Sequence, residues 1–533
     1  MIWYIDFCQG KVVINILKKT ALISILTLSS RVLGVIRDAL IAMYFGTSSQ
    51  SDAFFIAFRP VDLVRKLFSE GILSISFVPI FSQTMEKEGH SKAVALAFSF
   101  FCFLSLMGIF IVLAGIFFAP MILRLIAPGF VQDSYTYGLT IILLKIMLPY
   151  FWLILITALC MGVLNSLGNF GVPAAAPIVF NLVVIAFTIL ISKTFETPVM
   201  ALAIGVTIGG VLQLFIQIPF MVRLGMLKIP RFQVFRWSHI FHKGVLKVLK
   251  IMIPCMIGAA AFQINIMTAS FFASRLDEGS VSFIYYADRL VQFPLALFAV
   301  SAATVLLPQL SKKAVLRQLD EISDLFSNGV KLVFFITIPA MAGLLALNEN
   351  IVSLLFGYGA FGDLAIGQTA DCLFFLGLGL WAFTGVRLFV TLYFALSSIK
   401  IPFYSGIMTI FLNLVLCNLF IDRLGLKGLV LSVSISSMVG FIYLFIKVPG
   451  GVNIDKFEII VSACRSLFLS VIMFFLVKLA ASFIPVKEGN LFWFGTGVAG
   501  CICFGMAFYF GANLLISSPE LKMIKKGLGQ NKT

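Results

Sequence analysis

Residues 21–44 read ALISILTLSSRVLGVIRDALIAMY, an apolar run of helical length interrupted by three charges. A helix needs about 20 apolar residues to cross the bilayer core. A charge at the bilayer centre costs about 2.5–3.5 kcal/mol on insertion scales, so Arg31, Arg37 and Asp38 are not expected to face lipid. The stretch therefore predicts a membrane-spanning helix with a polar face.

The composition of the whole chain agrees with this prediction. Of its 533 residues, 60% are hydrophobic and 12% are charged, and the mean hydropathy is +1.07. A soluble protein of this length needs more polar surface, and the apolar runs are continuous, unlike the alternating pattern of a membrane β-barrel. We predict an all-α polytopic membrane protein with about fourteen transmembrane helices.

The formal net charge of +16 would suggest nucleic acid in a soluble protein. In a membrane protein, lysine and arginine concentrate in cytoplasmic loops. When both termini of this chain are placed in the cytoplasm, its cytoplasmic loops are richer in lysine and arginine than its outer loops. We therefore expect membrane lipids and no nucleic acid as partners. The nine cysteines are scattered through apolar runs without a CxxC pair, so we expect them to pack rather than to bind metal.

An internal repeat appears when the chain is compared with itself at an offset of 229 residues. Ser51 then falls on Ser280 and Phe54 on Phe283, and with small gaps Asn181 falls on Asn413. The sustained offset predicts two pseudo-symmetric six-helix lobes of the same orientation, followed by two further helices. Parallel repeats of this kind occur in secondary transporters, with the substrate site between the halves. Asn181 and Asn413 are expected to hydrogen-bond across helices.

The predicted organisation has six parts. They are an N-terminal extension (1–13), an N-lobe (14–225), a basic cytoplasmic linker (226–245), a C-lobe (246–447), a C-terminal helix pair (448–516) and a basic cytoplasmic tail (517–533).

Charged residues follow the helical period in several spans. The second span carries a continuous polar stripe with spacings of 7, 3, 4 and 4, made of Asp52, Arg59, Asp62, Lys66 and Glu70, with Arg65 at its edge. The eighth span carries Ser282, Tyr285, Arg289 and Gln292 on one face, and the tenth carries Arg387. These groups are expected to face water or each other.

Two interpretations of these charges stay open. Internal ion pairs such as Asp62–Lys66, Lys66–Glu70 or Arg31–Asp38 would neutralise them within the protein. Alternatively, because bases outnumber acids, the surplus guanidinium groups would bind an anion. Arginine binds phosphate bidentately and stays charged at any biological pH, so paired phosphates are the expected ligand. No GxxxxGK[ST] motif occurs, so nucleotide hydrolysis by that route is not expected.

Several stretches together resemble the MurJ (MviN) family of the multidrug/oligosaccharidyl-lipid/polysaccharide exporter superfamily. They are SRVLG (30–34), RD (37–38), DAFF (52–55), LFSEG (67–71), GSVS (279–282) and YYADRL (285–290). The resemblance implies a lipid II flippase of the bacterial inner membrane, active in peptidoglycan synthesis, with the cell-wall synthesis machinery as a further partner. It implies that the diphosphate binds near cavity arginines and that the C-terminal pair forms a groove for the polyprenyl tail.

The substrate-binding residues implied by the resemblance are Arg31, Arg37, Asp52, Arg65, Glu70, Ser282, Arg289 and Arg387. No cofactor is expected, and the identity of a coupling cation or metal stays open. The chain departs from the family pattern at two places. Where the family reads Lys-Leu-Pro-Asn before paired arginines, this chain has Arg59-Pro60-Val61-Asp62, and Gln292 replaces an acid. The alternatives are a flippase for another polyprenyl-linked saccharide and a membrane-embedded glycosyltransferase.

Overall fold

The computed structural model describes residues 2–68, 73–226, 243–449, 451–484 and 491–523. Helices, turns and short irregular links make up these residues, and no strand occurs among them. The chain divides into two compact units, Met1–Ala260 and Ala261–Thr533. A helical architecture follows from the continuous apolar runs, because a helix satisfies every backbone hydrogen bond internally where no water is present.

The helices of the first unit run from α1 to α10. They are α1 (Ile2–Phe45), α2 (Ser49–Leu67), α3 (Leu73–Ser76), α4 (Val78–Glu88), α5 (His90–Phe117), α6 (Ala119–Ile126), α7 (Ser134–Ser166), α8 (Gly171–Ala186), α9 (Val199–Phe215) and α10 (Ile218–Arg223). A π-helical turn, Phe187–Ile191, continues α8. Helix α1 packs on α8, α2 packs on α7, and α7 packs on α5 and α9.

Helix α11 (Lys243–Ala273) begins in the first unit and ends in the second. The second unit continues with α12 (Ser280–Pro294), α13 (Ser301–Val315), α14 (Leu319–Ala346), α15 (Asn348–Phe356), α16 (Asp363–Gly377), α17 (Leu380–Ala395), α18 (Lys400–Ile446), α19 (Lys456–Ala481) and α20 (Leu491–Leu515). Helix α12 packs on α16, and α16 packs on α18. These contacts repeat those of α2 with α7 and of α7 with α9 in the first unit.

Nine helices among the described residues are long and apolar enough to cross a membrane, and a tenth span arises if α16 and α17, bent by 45°, count as one. Helix α18 joins two helices at Gly425, which has a positive φ of 54°. Helices α1 and α2 carry charges within their apolar runs. The polytopic helical prediction is confirmed, whereas the count of fourteen stays a prediction.

Aromatic packing forms the core of the second unit. Phe326, Phe389 and Phe441 make edge-to-face contacts at centroid distances of 5.0 and 5.6 Å. A separate apolar cluster joins α14 to the C-terminal pair, with Phe335 packed on Tyr509 at 5.2 Å. The helix pair outside the repeat is thus fixed to its own unit through α14.

Candidate functional site

Arg37 of α1 is held inside the first unit. Its side chain is only 7% exposed and donates from Nε and Nη2 to Asp38 Oδ1, at 3.0 and 2.7 Å. Nη1 donates to Asn181 Oδ1 on α8 at 3.0 Å, and the guanidinium lies 6.0 Å from the Phe180 ring centroid. Asn181 Nδ2 donates to the Ser30 carbonyl at 3.0 Å. The expected cross-helix role of Asn181 is confirmed, and Arg37 is part of that connection.

The polar stripe of α2 contains a carboxylate shared by two bases. Asp62 Oδ1 accepts from Arg65 Nε at 3.0 Å and also from Arg65 Nη2. Asp62 Oδ2 lies 3.3 Å from Lys66 Nζ. Asp62 and Lys66 are buried, whereas the Arg65 side chain is 23% exposed. The Asp62–Lys66 ion pair considered from helical spacing is confirmed, and Arg65 contacts the other oxygen of the same carboxylate.

The other predicted residues of the first unit differ in how the structure places them. Arg31 is half-buried on α1, and Asp52 is buried in the first turn of α2. Glu70 lies outside the described residues, so its predicted role stays a prediction. Tyr150 of α7, which the sequence did not single out, is fully buried and interacts electrostatically with the charges of Arg65, Asp62 and Arg37. Its hydroxyl lies 3.5 Å from Gln213 Oε1.

In the second unit, Arg289 of α12 folds back on Tyr285 one turn earlier. Its Nη2 donates to the Tyr285 hydroxyl at 2.7 Å, and its guanidinium carbon lies 4.7 Å from the ring centroid. A hydrogen bond and a cation–π contact therefore orient one guanidinium. Ser282, one turn before Tyr285, is fully buried.

Gln292 stands where the resemblance implies an acid, and its side chain contacts Asp288. Its Nε2 donates to Oδ2 of the buried Asp288 at 2.5 Å. A carboxylate at this position would face Asp288 with a like charge, whereas the amide supplies a donor. Arg387 of α17 is half-buried, and its carbonyl accepts from the Thr391 hydroxyl at 2.9 Å.

Two further charged contacts lie in the second unit and were not predicted. Lys331 of α14 donates to Glu458 of α19 at 2.5 Å. Glu520, 1% exposed beyond the end of α20, accepts from the Ser462 hydroxyl at 2.5 Å and from Arg465. Residues 127 and 55 apart form these contacts, so no helical spacing could reveal them. They fasten α19 to α14 and to the C-terminal segment.

The C-terminal pair also forms an open apolar pocket of about 200 Å³. Its lining comes from the end of α19, the link after α19 and the middle of α20, namely Ala480, Phe483, Ile484, Gly497, Gly500, Cys501 and Phe504. The absence of charge and the small residues on α20 suit a hydrocarbon chain.

The two units thus hold their cationic side chains with different partners. The first holds Arg65 and Lys66 around one acid and keeps Arg37 in an internal pair. The second orients Arg289 with a neutral phenol. Guanidinium groups in such positions can bind the oxygens of a phosphate.

Comparison with known proteins identifies the family. The family model described as lipid II flippase MurJ matches residues 41–509. A probable lipid II flippase MurJ of Buchnera aphidicola subsp. Acyrthosiphon pisum is 36% identical over 430 residues, covering 81% of this chain and 83% of the relative. A solved lipid II flippase MurJ in an inward closed conformation aligns with a TM-score of 0.77 and 28% identity, covering 93% of this chain and 100% of that one.

A more distant neighbour shows the same fold. An inward-facing multidrug resistance transporter of the MATE family aligns with a TM-score of 0.66 at 14% identity, covering 83% of this chain and 99% of that one. At this identity the likeness concerns the fold alone. The glycosyltransferase alternative is wrong, because the family model and the relative are those of a transporter. The chain belongs to the MurJ family of lipid II flippases.

Proposed function

We propose that this chain moves lipid II from the cytoplasmic to the periplasmic leaflet by alternating access, with Arg31, Arg65, Arg289 and Arg387 binding the diphosphate. The observation that carries the proposal is the pair of bases, Arg65 and Lys66, that both contact the buried carboxylate of Asp62 on α2. Cations kept at such cost in a membrane protein mark a substrate pathway. A diphosphate carries the opposite charge and the acceptor oxygens that guanidinium groups fit.

Arg37 has a different proposed role. Its guanidinium already donates to Asp38 and Asn181, so we assign it to positioning α1 against α8. Asp52 and Ser282, both buried, stay in the proposed site as hydrogen-bonding groups, and Glu70 joins them on the family resemblance alone. The apolar pocket between α19 and α20 is the proposed seat of part of the polyprenyl tail.

The proposed orientation places both termini in the cytoplasm, in the bacterial inner membrane. The bias of lysine and arginine towards alternate loops supports it. An inside-negative potential contributes about 2.3 kcal/mol per charge per 100 mV, which favours outward movement of a diphosphate. We also propose that the periplasmic enzymes that consume lipid II are its partners, to be sought by cross-linking in membranes.

The test is lipid II translocation in proteoliposomes with single Arg→Ala variants at the four binding positions. Each charge-assisted hydrogen bond contributes about 1.5–3 kcal/mol, so each variant should slow translocation about 10- to 100-fold. Arg124→Ala, at an exposed arginine of α6, is the matched control and should translocate at the wild-type rate. Wild-type rates in all four variants would refute the proposed site.

The same assay distinguishes the substrate. Lipid II and a polyprenyl diphosphate carrying a different saccharide are compared at equal density. A strong preference for lipid II supports the proposal, whereas preference for the other saccharide supports the alternative flippase.

A further inference from the structure

Asp62 occupies a special position among the charges of α2. Its two carboxylate oxygens divide between two cations, Oδ1 towards Arg65 and Oδ2 towards Lys66. All three side chains project from adjacent turns of one helix, and Asp62 is 7% exposed. The arrangement is a bridging anion held by a guanidinium and an ammonium group.

A phosphate group would engage the same donors in the same way. It presents two oxygens about as far apart as those of a carboxylate, and it accepts a guanidinium fork on one side and a point-charge donor on the other. A carboxylate and a phosphate cannot both occupy this position, because two anions at contact distance repel each other strongly in a poorly solvated site.

We propose that Asp62 is a displaceable counter-ion, which fills the phosphate position of Arg65 and Lys66 in the substrate-free protein and yields it to the lipid-linked diphosphate. This inference rests on the proposed function and deepens it. Asp62 keeps two adjacent cations paired and oriented when no substrate is present. It also weakens substrate binding, because the substrate must displace it, and weaker binding allows release on the other side.

The opposite possibility is that Asp62 only fixes the conformation of Arg65 and Lys66 and stays bound to them throughout. The two roles predict changes of opposite sign. If Asp62 competes with the substrate, its neutral isostere should bind the substrate more tightly. If Asp62 only holds the two bases in place, the neutral isostere should bind the substrate more weakly.

The experiment measures binding of undecaprenyl diphosphate to the purified full-length protein in nanodiscs, with wild type, Asp62→Asn and Asp38→Asn. Asp38 is a matched control, because it is also a buried aspartate paired with an arginine of a charged span. We expect Asp62→Asn to bind about tenfold more tightly than wild type and Asp38→Asn not to gain affinity. Equal or weaker binding by Asp62→Asn, with wild type binding normally, overturns the inference.

Two further measurements distinguish failure of the inference from failure of the proposed function, and test whether the diphosphate itself displaces Asp62. Failure of wild type to bind any polyprenyl diphosphate would refute the proposed function itself. Inorganic pyrophosphate serves as a second probe. Tighter binding of both probes by Asp62→Asn supports displacement by the diphosphate itself. Tighter binding of undecaprenyl diphosphate but not of pyrophosphate supports displacement by a diphosphate that reaches Asp62 only when it is attached to the lipid.

A measurement on wild type keeps the inference testable if Asp62→Asn does not fold. A hydrophobic carbodiimide modifies carboxyl groups that are protonated in apolar surroundings. A carboxyl group held by two cations is shielded from this reagent, and its release removes that shielding. Saturating undecaprenyl diphosphate should therefore increase carbodiimide modification of Asp62 several-fold, as read by peptide mass spectrometry. Protection of Asp62 by the lipid would show that the carboxylate stays in place.

Discussion

Asn181 in the first unit and Asn413 in the second occupy matching positions of the duplicated chain, and each donates to a backbone carbonyl of the first helix of its repeat. Asn181 Nδ2 reaches the Ser30 carbonyl at 3.0 Å, and Asn413 Nδ2 reaches the Asn265 carbonyl at 2.9 Å. The partners lie 151 and 148 residues apart. The bond therefore belongs to the repeated fold.

The side-chain oxygens of these two asparagines differ in what they accept. Asn181 Oδ1 accepts from Arg37, which is paired with Asp38. Asn413 Oδ1 faces the Cys417 thiol at 3.6 Å. When Ser30 is aligned with Asn265, the positions of Arg37 and Asp38 fall on Phe272 and Ala273, both buried. One copy of the scaffold thus carries a charge pair where the other carries apolar packing, so this pair is not among the features that the two repeats share.

The largest expected effect comes from removing one partner of the charged connection. Arg37→Met breaks the buried ion pair with Asp38, and breaking such a pair typically costs about 3–5 kcal/mol. The free energy of unfolding, measured by titration into denaturing detergent, should fall by this amount. Cys417→Ala, at the matching connection of the second unit, should cost about 1 kcal/mol. Equal losses in the two variants would mean that the Arg37–Asp38 ion pair contributes no more to the free energy of unfolding than the Cys417 side chain does.

The two asparagines give the next comparison. Asn181→Ala removes the donor to Ser30 and the acceptor of a charged donor, so it should cost about 2–3 kcal/mol. Asn413→Ala removes one interhelical bond and a weak thiol contact, and such bonds in membrane proteins average about 0.6 kcal/mol. The same unfolding titration measures both. A larger loss of unfolding free energy for Asn413→Ala than for Asn181→Ala would contradict the expectation that Asn181 makes the stronger connection between helices.

A third comparison concerns how each unit orients an arginine. Arg65 is held by the Asp62 carboxylate and Arg289 by the Tyr285 phenol. Tyr285→Phe keeps the ring below the guanidinium but removes a hydrogen bond that a charged guanidinium donates to a phenol, and such bonds contribute about 1.5 kcal/mol at the lower end of their range. Lipid II translocation should slow about tenfold. Tyr285→Leu, which also removes the cation–π contact, should slow it further, and a wild-type rate for Tyr285→Leu would exclude an orienting role.

The smallest effect is expected at the matching helix starts. Asp133 caps α7 by accepting from the backbone of Tyr135 and Thr136, whereas Gly362 before α16 offers no side-chain cap. The Thr136 hydroxyl and these amides hold the pKa of Asp133 below its ordinary value of 3.8. Asp133→Ala should cost at most about 1 kcal/mol.

The pH dependence of that cost has a definite sign. Because the folded-state pKa of Asp133 is lowered, the cap contributes fully above the ordinary pKa and is lost as the pH falls through the lowered value. Unfolding titrations of wild type and Asp133→Ala should therefore converge in acid. A difference that grows as the pH falls would contradict the capping role, and Asp363→Ala is the control in the second unit.

Much of the fold could be predicted from local sequence. Continuous apolar runs of spanning length form helices in lipid. The sustained offset of the repeat, with small gaps, aligned Asn181 with Asn413. Helical spacing also indicated the Asp62–Lys66 pair, since residues four apart lie on one face. It did not indicate Arg37–Asp38, because neighbours in sequence point in directions about 100° apart, nor the contact of Arg37 with Asn181 on another helix.

The sequence by itself determined that the chain is a helical membrane protein, that its two halves are related, and that bases outnumber acids in its charged spans. These properties depend on composition and on periods of a few residues. Only the tertiary structure decided which acid neutralises which base when the two lie in different elements. Lys331 meets Glu458 and Arg465 meets Glu520 because α14, α19 and the C-terminal segment pack together. The energy of a buried charge depends on its immediate surroundings, and packing brings those surroundings from distant parts of the chain.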